Sequence, residues 1–263
     1  SVAAVTPILK VNAPETLLQK AQWLEYVLYT FLKMILASIQ CLNVTPGPFS
    51  IYRKKHVLEV GGFDENSIVE DQEIACRLQK QHFKIMQSID GNVLTVAPRT
   101  VKELYIQRRR WYKGTVINLY KYRGMMLNKE YGDFGVFQMP SLLVGIITPF
   151  VILPLFLSYT ISPIVSFIRH VYLAGLNISL DFEIHNFMTN YLISLDYAKL
   201  FIIAIVFIIS VWLMMLAHKN TREKLAFSSV VPLVFFFIIY YILLSFMWAG
   251  AMLELAFGKN KKW

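Results

Sequence analysis

Three long stretches without a charged side chain constrain this chain more than any other feature. Residues 134–168 contain no Asp, Glu, Lys or Arg. Wound as a helix at about 1.5 Å per residue, that run exceeds the ~30 Å of a bilayer's hydrocarbon core. Residues 200–218 and 225–253 form two further apolar runs, the first just long enough to cross once and the second comfortably so. The reading is three transmembrane helices, at about 142–168, 200–218 and 228–253, with Pro149, Pro154 or Pro163 bending the first. The other half of the chain is a different material. Residues 1–141 carry 18 of the 26 Lys and Arg and 12 of the 17 Asp and Glu, enough for a water-facing surface.

The formal charge of +9 calls for an anionic partner. Nucleic acid would need a basic face interleaved with aromatics on a soluble domain. Here the excess sits beside the apolar runs, where it meets anionic lipid head groups or a phosphorylated substrate. Membrane lipids are therefore expected partners and nucleic acid is not. Cys41 and Cys76 cannot make a metal site alone, the five histidines have no ligand spacing, and a reducing compartment fits. The loop at 218–224 carries Lys219, Arg222 and Lys224. The loop at 169–199 holds two basic residues against Asp181, Glu183 and Asp196. The positive-inside rule then puts the polar half in the cytosol, although it leaves the Lys-rich tail outside. The expected location is the plasma membrane, crossed several times.

Within the polar half, residues 2–11 read as a buried strand and residues 16–42 as an amphipathic helix, either in the core or on the membrane surface. Residues 43–50 (NVTPGPFS) are a Pro/Gly-rich loop. A helical turn at 56–60 ends at Gly61-Gly62, and a helix follows at 70–81. Strands at 84–89 and 92–96 and a helix at 101–112 complete an α/β alternation. The domain reading is 1–113 for the α/β part, 114–141 for an amphipathic interfacial linker, and 142–263 for the membrane region.

Two clusters carry chemistry. Glu70 and Asp71 stand at a helix N-terminus behind a glycine turn, where the helix dipole and free N–H groups favour an ionised carboxylate able to accept a proton from a sugar hydroxyl. As a bare pair they are equally two ordinary first-turn acids. Gln107-Arg108-Arg109-Arg110-Trp111 offers guanidinium groups to a diphosphate and an indole face to a pyranose ring. The same pentapeptide also suits a basic cluster on anionic lipid, with Trp111 as its interface anchor.

Glu70-Asp71, followed by Gln107-x-x-Arg110-Trp111 and then by transmembrane helices, resembles the processive family 2 glycosyltransferases, which include the cellulose, chitin, hyaluronan and poly-N-acetylglucosamine synthases. GGFDE ahead of the acidic pair and the loop TPGPFSIYRKK match as well, so the resemblance covers residues 1 to about 168. It implies the acceptor-side half of a GT-A (Rossmann-like) domain followed by interfacial and transmembrane helices. It implies an inverting transfer from a nucleotide sugar, such as a UDP-sugar, to a growing β-linked polysaccharide. Asp71 would be the general base and Glu70 its orienting neighbour. Gln107, Arg108, Arg110 and Trp111 would bind the acceptor end and the diphosphate, and Gly47, Pro48 and Phe49 would shape the acceptor loop. Two other readings share these residues: a non-processive glycolipid synthase similar to ceramide glucosyltransferases, and a membrane subunit without catalytic activity.

One departure from the family pattern matters. Its Asp-x-Asp motif, which holds Mg2+ or Mn2+ on the donor diphosphate, has no counterpart ahead of Asp64, the first Asp of the chain. The donor-binding half is expected upstream of Ser1, no metal ligand is expected in the chain, and the chain is expected not to catalyse transfer by itself. Isothermal titration of this chain with a UDP-sugar and Mg2+ should show no tight binding; tight binding overturns the expectation.

Overall fold

The computed structural model describes residues 1–174, 189, 197–223 and 230–258. The chain divides into two compact units, one formed by Ser1–Phe150 with Leu216–Trp263 and the other by Val151–Met215.

The first unit is built on β1 (Val2–Val11), flanked by β2 (Ile51–Tyr52) antiparallel and β3 (Lys84–Thr95) parallel, in the order β2-β1-β3. The sequence reads two strands at 84–89 and 92–96, whereas the structure has one. Thr6 pairs with Gln87 and Ile8 with Asn92, so residues 88–91 bulge out without breaking the strand. Both segments pair with the same neighbour, so Asp90-Gly91 makes a bulge where a hairpin turn would otherwise stand. Pro7 sits opposite this irregularity, where its missing N–H leaves no ladder bond unmade.

Helix α1 (Leu17–Ser38) opens with a capping box in which Thr16 Oγ1 accepts from the Gln19 N–H and the Gln19 side chain accepts from the Thr16 N–H. It buries Leu18, Ala21, Leu24 and Val27 in the core, which decides for the core helix over the surface helix. Gln19 and Gln22 are also buried, and their side-chain amides donate to the Ala97 and Pro98 carbonyls, tying α1 to the exit of β3. The helix stops at Ser38, short of the expected 42, because Gln40 adopts a left-handed backbone at φ 56°.

Helix α2 (Lys54–Glu59) ends in Gly61 and Gly62, both with positive φ, and the Gly62 N–H reaches back to the Val57 carbonyl. Helix α3 (Glu70–Lys80) packs Ile74, Ala75 and Leu78 against Ala3, Ala4 and Ile85 of the sheet. Helix α4 (Val101–Lys121) carries a second capping box, Thr100 with Glu103. It runs unbroken past the expected end at Tyr112, to Lys121. Gly114, within it, is a contact point. A Cβ there would lie 2.0 Å from Val69 Cγ2, so only glycine lets α4 lie this close to the start of α3. Cys41 and Cys76 are free and buried.

Among the described residues, three helical stretches are long and apolar enough to span a bilayer: Phe134–Arg169, Ala204–Thr221 and Val230–Ala256. The first joins α5 (Met139–Phe156) and α6 (Ser162–Ala174) through a π-helical turn at Leu157–Ile161. The second lies in α7 (Tyr197–Thr221). The third joins α8 (Val230–Phe235) and α9 (Tyr241–Ala256) through a π-helical turn at Phe236–Tyr240. Most of the loop expected outside, at 169–199, and the basic tail lie outside the described residues.

Gly114→Ala should force α3 and α4 apart and cost about 1–3 kcal/mol. Gly124→Ala, where nothing lies within 4 Å, should cost far less. Thermal unfolding of both variants in the same detergent checks the difference.

Candidate active site

The residues around Asp71 come from four separate places in the chain. Asp71 occupies the first turn of α3, half-buried, and its own carboxylate accepts from the Gln72 N–H at 2.8 Å. Its carbonyl accepts from both the N–H (3.1 Å) and the hydroxyl (2.8 Å) of Thr45. Tyr52 on β2 donates to Thr45 Oγ1 at 2.9 Å. The Pro/Gly loop is thereby fastened at its base to the main chain of the acidic residue. Its tip points to solvent: Gly47, Pro48 and Phe49 are exposed, Phe49 by 82% and with a left-handed φ of 57°. A bulky side chain held in that conformation at a loop tip is a strained arrangement.

The start of α3 is locked to α4 by polar contacts as well as by the Gly114 approach. The Gln72 side-chain oxygen accepts from Thr115 at 3.2 Å and from Asn118 at 3.4 Å. The buried Glu73 carboxylate accepts from Arg77, from Lys121 at 2.7 Å and from Tyr122 at 2.6 Å. Burial pushes Glu73 up, but the hydrogen bonds from Lys121, Tyr122 and Arg77 outweigh it and hold the carboxyl below its ordinary range. These ties fix where Asp71 stands relative to α4.

Asp71 has the opposite balance. Burial and the neighbouring Glu70 raise it above the ordinary aspartate value, while the Gln72 N–H, Lys33 and Arg110 pull it back. A carboxyl held in this way has a strengthened affinity for a proton, which suits a general base. Glu70 is exposed. Lys33 joins the site without any signal in the sequence, where it reads as one polar position of α1. Its side chain is buried, its ammonium lies 4.8 Å from the centre of the Tyr29 ring, and burial brings it down to about 7 against the pull of Asp71. A lone lysine in an apolar stretch of helix is locally unremarked; only the fold brings it to Asp71.

Helix α4 presents two faces. Gln107, Arg110, Trp111, Gly114, Thr115 and Asn118 recur at helical spacing along one stripe, of which Gly114, Thr115 and Asn118 meet the start of α3. Arg110 is exposed, Trp111 is half-buried, and the Gln107 side-chain oxygen is buried with no hydrogen-bond partner among the described residues. The other face is bound to the last apolar span. Glu254 accepts from Tyr105 at 2.8 Å and from Lys113 at 2.7 Å, with Arg109 at 3.4 Å. Arg108 belongs to this second face. It is buried and ion-paired to Glu25 at 2.6 Å, whereas Arg110 is exposed and its charge lowers Asp71. Burial works against the Arg108 charge, but Glu25 prevails and holds the guanidinium more firmly protonated.

The matching family model, Glycosyl transferase family group 2, covers residues 3–258. The chain belongs to this family. It is 28% identical over 112 residues to the poly-beta-1,6-N-acetyl-D-glucosamine synthase of Staphylococcus aureus (strain COL), a match covering 42% of this chain and 27% of that protein. It is 33% identical over 70 residues to the UDP-forming cellulose synthase of Dictyostelium discoideum, in its catalytic polypeptide, covering 27% of this chain and 7% of that one. The chain thus spans about a quarter, 27%, of the length of the first of these relatives. Family 2 glycosyltransferases generally use a divalent metal. Among the described residues no three His, Cys, Asp or Glu side chains cluster to hold one, and Glu70-Asp71 alone does not make such a site.

Lys33→Met removes a positive charge that lowers Asp71, so the Asp71 carboxyl should titrate at higher pH in the variant. A carboxyl-carbon NMR titration, with the resonance assigned by its loss in Asp71→Asn, checks the direction.

Proposed function

We propose that this chain supplies the acceptor side of a membrane-embedded, inverting glycosyltransferase that moves a sugar from a UDP-sugar to the growing end of a β-linked polysaccharide. The observation that carries this reading is Asp71, raised by burial and Glu70 and drawn back by Lys33 and Arg110, on a helix start that is tied to α4, which bears Gln107, Arg110 and Trp111.

In this reaction the Asp71 carboxylate takes the proton of the acceptor hydroxyl as that oxygen attacks the anomeric carbon. The bond from that carbon to the diphosphate breaks, the electron pair leaves with the nucleoside diphosphate, and the configuration inverts. Glu70 orients the base. Arg110 offers its guanidinium to the charge that grows on the departing diphosphate. Trp111 provides a flat apolar face for the acceptor sugar, and Gln107, with its unmatched buried side-chain oxygen, accepts from a sugar hydroxyl. Gly47, Pro48 and Phe49 form the loop that closes over the acceptor. Mg2+ or Mn2+ accompanies the donor, held by groups other than the residues described here.

The relatives that match are named as polymer synthases, which favours a polymer over single transfer to a lipid. Three apolar helices support a membrane protein. In this reading the membrane is the plasma membrane, the α/β unit is cytosolic and the polymer is exported.

Asp71→Asn keeps size and hydrogen-bonding capacity but removes the base. In the membrane-embedded enzyme it should lower transfer by about 10²–10⁴-fold at an unchanged protein level. Turnover is read as labelled sugar in polymer, resolved by length on a gel. Wild-type turnover in the variant would refute the base, and a single sugar on lipid would refute the polymer.

A further inference from the structure

A compact polar cluster in the first unit lies behind the proposed acceptor platform, and none of the roles assigned above uses it. Glu25 from the middle of α1, Arg108 from α4 and Tyr240 from the last apolar span meet at one point. One Glu25 oxygen accepts from Arg108 Nη2 at 2.6 Å and from the Tyr240 hydroxyl at 2.7 Å, and Arg108 Nη2 is 3.5 Å from that hydroxyl. Arg108 and Tyr240 are 4% and 0% exposed. The same guanidinium lies 4.4 Å from the centre of the Trp111 ring. Next along the helix, Tyr112 stacks on Trp248 with ring centres 4.1 Å apart.

We propose that Glu25 and Tyr240 are positioning residues for Trp111: they hold the Arg108 guanidinium in the plane against which the indole stacks, and so set the angle at which the acceptor sugar is received. The inference rests on the acceptor-site reading of Trp111 given above.

A buried ion pair is a costly way to join helices, since well-packed apolar side chains of similar volume hold them at least as well. What apolar packing does not provide is orientation. A guanidinium is a rigid plane; here Nη2 is anchored on one Glu25 oxygen, Nε has no hydrogen-bond partner among the described residues, and the Trp111 ring is the surface against which the rest of the plane lies. An indole packed on that plane inherits the restriction. Tyr240 closes the π-helical turn Phe236–Tyr240, where the extra residue turns the following side chains about the helix axis relative to a regular α-helix. That turn brings a phenol out of an apolar span to the carboxylate on α1 that α4 uses.

The test labels the protein with fluorinated tryptophan and follows the Trp111 resonance, assigned by its loss in Trp111→Phe. Tyr240→Phe removes one hydroxyl and preserves packing; Glu25→Gln removes the charge. Both should shift or broaden the Trp111 resonance. Both should also raise the acceptor KM about tenfold while kcat stays within about threefold, the pattern of a lost binding geometry. A Trp111 resonance identical to wild type in either folded variant overturns the inference and leaves the site reading intact. A moved resonance with an unchanged acceptor KM overturns the acceptor role of Trp111, and the inference with it. Should Glu25→Gln fail to fold, Tyr240→Phe carries the test alone.

Discussion

The first unit depends on one constraint: a polar helix, α4, must be held at once against an α/β core and against an apolar span. The two neighbours demand different chemistry. Toward α3 the contact is a steric one, made by Gly114 lying on Val69 and extended by Gln72 and Glu73 to the hydroxyl, amide and ammonium groups of the last two turns. Toward the last span the contact is ionic, with Glu254 collecting Tyr105, Arg109 and Lys113, and Glu25 collecting Arg108 and Tyr240. Removing one partner of a buried pair such as Glu25–Arg108 strands the other charge, at a cost of about 3–5 kcal/mol. Helix α4 therefore has little freedom to rotate.

That arrangement accounts for the electrostatics of the acidic pair. Asp71 gains from its place at the start of a helix and loses from burial and from Glu70, and the outcome is a carboxyl raised above the ordinary range. Glu73, two residues on, has a side chain sealed from solvent yet is lowered, because three donors converge on it. The contrast separates a carboxylate that holds structure from one left with spare capacity for a proton. Neighbouring acids on one helix turn can differ in this way because what faces them is set by other elements.

The Pro/Gly loop follows the same logic at a smaller scale. Thr45 fastens its root to the Asp71 main chain, so loop and carboxylate are held together, while the tip at Gly47, Pro48 and Phe49 stays open to solvent, Phe49 in a strained left-handed conformation.

Much of this is legible in the residues. Uncharged length alone marks three spans, because a bilayer tolerates few unpaired charges, and capping residues such as Thr100 mark helix starts. Glu70-Asp71 and the Gln107–Trp111 segment point to glycosyl transfer through their resemblance, in order and spacing, to family 2 glycosyltransferases. Other features come only from the tertiary structure. The helix read as ending at Tyr112 runs on to Lys121, and Gly114 within it is a point of close approach, since a glycine's meaning depends on what lies opposite. Residues 88–91 read as a break between strands and prove to be a bulge, because β1 pairs with both sides. Arg108 and Arg110 are chemically alike in the sequence, yet one is sealed against Glu25 and the other lends its charge to Asp71. Two positions along a helix is a rotation of about 200°, and which side meets a carboxylate is decided by packing.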